Sequence, residues 1–143
     1  MVQLIPGIES TASALTAERV RMEVVSQNIA NANTTHGLDG KPYQRQQVVF
    51  ESVLRNQMGG NAAGGANQGV RIGRIEKDIR PPRLVYNPGH PDAGADGMVA
   101  MPDINIHEEM ADLIASSRSF EANLAVVKNA RSMAMQTLAI GKR

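Results

Sequence analysis

Two long stretches of this 143-residue chain, 8–36 and 98–140, contain no glycine, and their single proline is Pro102. Glycine and proline are the residues that interrupt helices, so both ends of the chain can run as long helices and the Gly- and Pro-rich middle cannot. In the first stretch Ile8, Leu15, Met22 and Ile29 recur every seven residues, with Ala12, Val25 and Ala32 beside them. Seven residues are two helical turns, which places these side chains in one stripe. Ser10 and Thr11 are the expected caps at its start, and the stretch from Asn31 to Gly37 is the expected stop. The prediction is a helix of about 25 residues, roughly 38 Å long.

The second helix is expected to start at Asn105, an N-cap with Glu108 three residues on and Glu109 and Asp112 in the first turns. Its stripe runs through Met110, Leu113, Ser117, Phe120, Leu124, Val127, Arg131, Ala134 and Leu138. Ile114, Val126, Ala130, Met133 and Ile140 lie off that stripe, so a helix of about 35 residues, near 50 Å, carries more than one apolar face. The predicted seam sets Ile8, Leu15, Met22, Val25 and Ile29 against Leu113, Phe120, Leu124, Val127 and Leu138. Burying one Leu, Ile, Val or Met is worth about 1.5–3 kcal/mol, so the surplus apolar positions call for cover by partner molecules. The alternative is that the central segment covers them.

The middle reads as short strands: Tyr43–Leu54, Val70–Ile79, Arg83–Tyr86 and Met98–Met101, separated by turn sequences such as Asn87-Pro-Gly89 and Ala95-Asp-Gly97. Residues 57–69, with five glycines, have the composition of a mobile loop. The expected fold class is α+β: long terminal helices pairing as an antiparallel coiled-coil-like unit around a small β segment. The expected division is 1–36, 37–102 and 103–143, the two end segments forming one helical core.

Composition removes most chemistry. No Cys is present, which excludes disulfides and thiolate metal sites, and four aromatics without Trp make for a thin core. A net charge of +1 gives no basis for binding nucleic acid or an anionic membrane surface. No stretch approaches the 18–20 or so apolar residues of a membrane span, so no direct membrane insertion is expected. The start lacks a positive n-region and its apolar run is broken by Pro6, Gly7 and Glu9, unlike a cleavable secretory signal.

His36, His90 and His107 lie in separate segments, without the spacing of a metal site. The Gly-rich stretch lacks the Gly-Lys-Ser/Thr ending of a phosphate-binding loop. The run from Asp92 to Asp103 has Gly94 at its third place and Asp, not Glu, at its twelfth, and Pro88 and Pro91 remove the entering helix of a calcium loop. No catalytic, cofactor-binding or metal-binding residue is therefore assigned, no cofactor is expected, and a small hydrolase ranks last among the readings. The alternative to an assembling structural subunit is a self-contained binding module with a helical dimerisation stalk.

One run carries more. Val24-Val-Ser-Gln-Asn28-Ile-Ala-Asn31-Ala-Asn-Thr34 resembles the signature shared by bacterial flagellar rod and hook axial proteins, in which a helix ends in an Asn-aliphatic-small-Asn run; Asn28, Ile29 and Asn31 match it. Asp39-Gly-Lys-Pro-Tyr43, Arg45-Gln-Gln-Val-Val-Phe50, Arg83-Leu-Val-Tyr86-Asn-Pro-Gly89, Gly97-Met-Val-Ala-Met-Pro102 and Ser117-Arg-Ser-Phe120-Glu-Ala-Asn123 together resemble the proximal-rod branch of that family. The resemblance runs from about Ile8 to Leu138, and residues 57–69 do not align. It implies a non-enzymatic structural subunit of the basal-body rod, the drive shaft that transmits torque. It also implies export through the flagellar type III apparatus without a cleaved signal. The implied partners are other rod subunits and the membrane-ring and adaptor proteins. Asn28 and Asn31 are expected to satisfy backbone groups at the helix end.

Overall fold

The computed structural model describes residues 6–37, 39–54 and 68–141; the expected loop at 57–69 lies outside these except for Gln68 and Gly69, which belong to a strand. Helix α1 spans Pro6–Ala30 and helix α2 spans Ile106–Ile140, 25 and 35 residues. Strands β1 (Gln46–Leu54), β2 (Gln68–Lys77), β3 (Arg83–Tyr86) and β4 (Met98–Met101) lie between them. The order makes an α+β chain. None of the described helices is long and apolar enough to cross a membrane.

The length of α1 agrees with its periodicity, but its start does not. It begins at Pro6, whose fixed φ suits the first helical turn, so Ser10 and Thr11 lie inside the helix and not at its cap. The stop is where the Asn-rich run puts it: Asn31 N–H donates to Gln27 O at 3.0 Å and Thr34 N–H to Asn31 O at 3.1 Å as the chain turns away. At α2 the expected cap is present, with His107 N–H donating to Asn105 Oδ1 at 3.1 Å.

Strands β1 and β2 form one antiparallel ribbon and β3 and β4 another. In the first, Val49 pairs with Arg74 but Phe50 pairs with Ile72, so Gly73 is the extra residue of a bulge. A Cβ at Gly73 would sit 2.5 Å from the Glu51 carboxyl group, so a larger residue there would make the Glu51 side chain swing aside. β1 starts at Gln46, later than the expected Tyr43, because Tyr43 N–H is bonded instead to Thr34 O at 3.1 Å.

The β1–β2 ribbon lies along α1. At one end the Asn28 side chain bonds both backbone groups of Gln46; at the other, Val70 N–H donates to Ser13 Oγ at 3.2 Å. Val70 faces Ser52 across the ribbon, so the two anchor points are six strand steps apart, about 20 Å. Fifteen helical residues cover about 22 Å, so ribbon and helix match in length. The second ribbon is tied to the segment after α1 through Asp92. Thr35 Oγ1 donates to Asp92 Oδ2 at 2.6 Å, and His36 Nδ1 lies 3.4 Å from Asp92 Oδ1. The Thr35 hydrogen bond, with His36 and His90 nearby, holds the Asp92 carboxyl below the ordinary carboxylate range.

Helices α1 and α2 pack on each other, and α1 also packs on both strands of the first ribbon. Asn28, near the end of α1, meets Glu109, near the start of α2, and Arg21 lies 3.7 Å from Asp112, so the two helices run in opposite senses. Fully buried apolar residues among the described ones are few and mostly small: Ala17, Val24, Val25, Ala32, Val99 and Ala130.

Gly97 turns the chain into β4 with φ +71°, and a Cβ there would lie 2.9 Å from the Tyr86 ring and 3.3 Å from Pro88. Gly40 has a similar φ of +68° but open space around it. Gly40→Ala is therefore expected to cost the backbone strain alone, about 1–2 kcal/mol. Gly97→Ala should cost measurably more, because the ring must also move. Urea denaturation of the two variants checks the order; equal losses would contradict the close approach.

Candidate functional site

Among the described residues a buried polar group is built on Asn28. This residue lies two helical turns after Arg21, which also reaches α2, at Asp112. Asn28 is wholly buried and every hydrogen-bonding position of its carboxamide is used. Nδ2 donates to Gln46 O at 2.9 Å and to Glu109 Oε2 at 3.0 Å. Oδ1 accepts from Gln46 N–H at 2.9 Å and from Tyr43 Oη at 3.0 Å. One side chain thus joins α1, the start of β1 and α2.

Glu109, 1% exposed, is held on its other oxygen by Arg45 Nε at 2.6 Å. A buried carboxylate is tolerated only when paired and hydrogen-bonded, and these contacts do both. The Arg45 guanidinium continues outward to Asp78 and Asp112, each at 3.9 Å, and Asp78 is bonded by Arg80 at 2.8 Å. Arg80 also reaches Asp103 at 3.2 Å, just before α2. Hydrogen bonds from the Arg80 side chain and backbone N–H hold the Asp78 carboxyl below its usual range. Burial, and then the Glu109 charge, push the Tyr43 phenol up, so it stays a neutral donor to Asn28.

This clamp sets the rotation of α2. Among the residues of α2 that lose solvent, Glu109, Leu113, Ser116, Phe120, Asn123, Val127, Ala130 and Ala134 form a row with alternating steps of four and three, with Asp112 and Ser117 half-buried beside it. The sequence-predicted row shares Leu113, Phe120, Val127 and Ala134, but the alternate positions differ. Glu109, Ser116, Asn123 and Ala130 occupy them in place of Met110, Ser117, Leu124 and Arg131. Leu124 and Leu138 are 37% and 67% exposed, so neither is part of the buried row of α2. On α1, Val25 is buried and Ile8, Leu15, Met22 and Ile29 are half-buried, while Ala17, Val24 and Asn28 are the most enclosed.

Asn31 donates through Nδ2 to Gln27 O at 2.9 Å, a backbone carbonyl at the helix end, and its Oδ1 accepts from Thr34 Oγ1 at 3.2 Å. Asn28 serves backbone groups too, but those of Gln46 in β1 and not of its own helix end. Glu109, Tyr43, Arg45 and Gln46 were not among the residues predicted for the site. A signal existed in the seven-residue repeat of the short or polar residues Glu109, Ser116, Asn123 and Ala130 beside the apolar one.

Large apolar residues remain exposed on α2: Met110, Ile114, Val126, Met133, Met135, Leu138 and Ile140 are each more than half exposed. Such a density of exposed apolar side chains along one helix is the mark of a surface that is covered in use.

Asn28→Asp keeps the shape of the side chain, removes both donors and sets a second carboxylate about 3 Å from Glu109. The expected loss is about 3 kcal/mol or more at neutral pH, partly recovered under acid conditions as one of the two carboxyl groups takes a proton. Urea unfolding at two pH values measures both; a loss below about 1 kcal/mol at neutral pH would contradict the clamp.

Comparison with known proteins agrees with this arrangement of two terminal helices. The family described as "Flagella basal body rod protein" matches residues 8–37, and the one described as "Flagellar basal body rod FlgEFG protein C-terminal" matches residues 95–140. These matches cover α1 with its Asn-rich stop, and β4 with α2. A Bacillus subtilis (strain 168) protein, flagellar basal-body rod protein FlgC, is 43% identical, covering 95% of this chain and 97% of the relative. The protein of the same name from Borreliella burgdorferi is 40% identical over 96% of this chain and 97% of the relative. That from Escherichia coli O6:H1 is 40% identical over 91% and 92%. With that identity along nearly the whole length, the chain belongs to the FlgC family of flagellar basal-body rod proteins, structural subunits and not enzymes.

Proposed function

We propose that this chain is a subunit of the proximal rod, polymerising through its terminal helices into the shaft that transmits torque. Residues 1–36 and 103–143 form the helical core of the subunit in this reading, and 37–102 a β segment braced against it. The single observation that supports it most is the outward apolar surface of α2, from Met110 to Ile140, left over once the buried row is satisfied.

The helix pair works as an antiparallel coiled-coil-like unit. Ile8, Leu15, Met22, Val25 and Ile29 with Leu113, Phe120 and Val127 serve the contacts inside the subunit. Leu124 and Leu138, with Val126 and Met133, serve contacts with neighbouring helices. Those neighbours are other rod subunits and, at the base, the membrane-ring and adaptor proteins. Delivery is by the flagellar type III export apparatus without a cleaved signal. Repeated contacts between unlike faces build an open helical stack, the geometry a shaft needs.

Leu124→Asp and Met133→Asp each place a charge on the outward face while leaving the Asn28 clamp untouched. Met133→Asp is expected to unfold within about 1 kcal/mol of the parent, as surface substitutions do, and the less exposed Leu124→Asp to lose more while still folding; both are expected to be missing from isolated basal bodies and to leave cells non-motile. Quantifying the chain in basal bodies and scoring swimming in soft agar test this. Normal incorporation and motility of both variants would overturn the assigned face.

A further inference from the structure

The chain has eight methionines and no cysteine, so thioethers are its only sulfur groups open to oxidation. Their environments differ sharply. Met22, Met98 and Met101 are half-buried, whereas Met110, Met133 and Met135 on α2 are 51%, 61% and 62% exposed. Met133 and Met135 straddle Ala134, a half-buried member of the buried row of α2, and successive residues turn by about 100° around a helix. One thioether therefore sits on each flank of the buried row, and a neighbour packing on either flank meets one of them.

We propose that Met133 and Met135 form a reversible modification site through which peroxide controls assembly. Hydrogen peroxide transfers one oxygen atom to the thioether sulfur: its O–O bond breaks, the sulfur is oxidised by two electrons to the sulfoxide, and the other oxygen leaves as water. The sulfoxide replaces an apolar, adaptable side chain by a polar one that needs a hydrogen-bond partner. A flank carrying it no longer packs against a neighbour's apolar side chains, because burying an unpartnered polar group is unfavourable. A dithiol reductase of the methionine sulfoxide class restores the thioether, taking the oxygen as water and leaving a disulfide on the reductase. The free chain is the vulnerable form, and the assembled chain shields the site. This inference rests on the proposed role of the outward face of α2.

The test uses cells lacking their own copy of the gene, in which the full chain is induced with or without sublethal hydrogen peroxide. Wild type is compared with the Met133→Leu/Met135→Leu double variant, each normalised to its own untreated number of basal bodies. Peroxide is expected to lower the wild-type number several-fold more than that of the double variant. Peptide mapping of wild-type chain from the same cells should find sulfoxide at 133 and 135 at least tenfold enriched in unassembled chain over basal bodies. Met110, Met133 and Met135 of the purified chain should also oxidise several-fold faster than Met22, Met98 and Met101. An equal fall for both chains, or equal sulfoxide in both pools, would overturn the site. Absence of the untreated wild-type chain from basal bodies would instead overturn the proposed function, so the two failures are distinguishable. If the double variant does not assemble even untreated, the peptide map decides.

Discussion

A single neutral carboxamide, wholly enclosed between two helices and a strand, fixes how this chain is put together. Asn28 binds the backbone of Gln46 on one side and the carboxylate of Glu109 on the other, so α1, β1 and α2 can meet in only one register. Buried polar groups of this kind add little net stability compared with apolar packing, but any alternative packing must leave them unpaired, and that is costly. Sliding α2 by two turns would put Ser116 opposite Asn28 in place of Glu109, stranding both Arg45 and one carboxamide donor. The few, small apolar residues of the core could not enforce that choice alone.

From this constraint follows the division of α2 into an inner and an outer side. Because Glu109 must face Asn28, the residues at steps of seven after it, Ser116, Asn123 and Ala130, turn inward as well. They are short, and short side chains let helices approach closely. The long side chains of Met110 and Ile114 are left exposed beside that row. A chain that needed only to fold alone would gain by reversing this order, burying Leu where Ser116 now sits. The arrangement is intelligible when the outer side is also a contact surface, as the proposed shaft subunit requires.

Much of this was legible in the sequence. The lengths of both helices, the Asn105 cap, the Asn-rich stop after α1 and the extents of β3 and β4 follow from where glycine, proline and capping residues fall. The phase of the seam on α2 was not, because the apolar pattern counts large hydrophobic residues as inward and has no place for an inward carboxylate. Glu109 is indistinguishable from a first-turn acid serving the helix dipole until Arg45 and Asn28, 64 and 81 residues away in sequence, are brought against it. The start of α1 was missed for a local reason: Pro6 nucleates the helix ahead of the residues that look like caps. The function was carried by the Asn28–Asn31 run and the patches that accompany it, and the structure gives the first of these a physical role as the clamp itself.

The decisive question is whether the side of α2 left exposed in the single subunit is the side that meets other subunits. A side-chain-resolution electron cryo-microscopy map of the isolated basal body measures this directly. In that map Asn28 and Glu109 are expected to remain in contact within each subunit while Val126, Met133 and Leu138 lie against helices of neighbouring chains. A map in which those three side chains face solvent or the open channel, or in which α2 has left α1 and turned its other row to the neighbours, would contradict the assigned contact face.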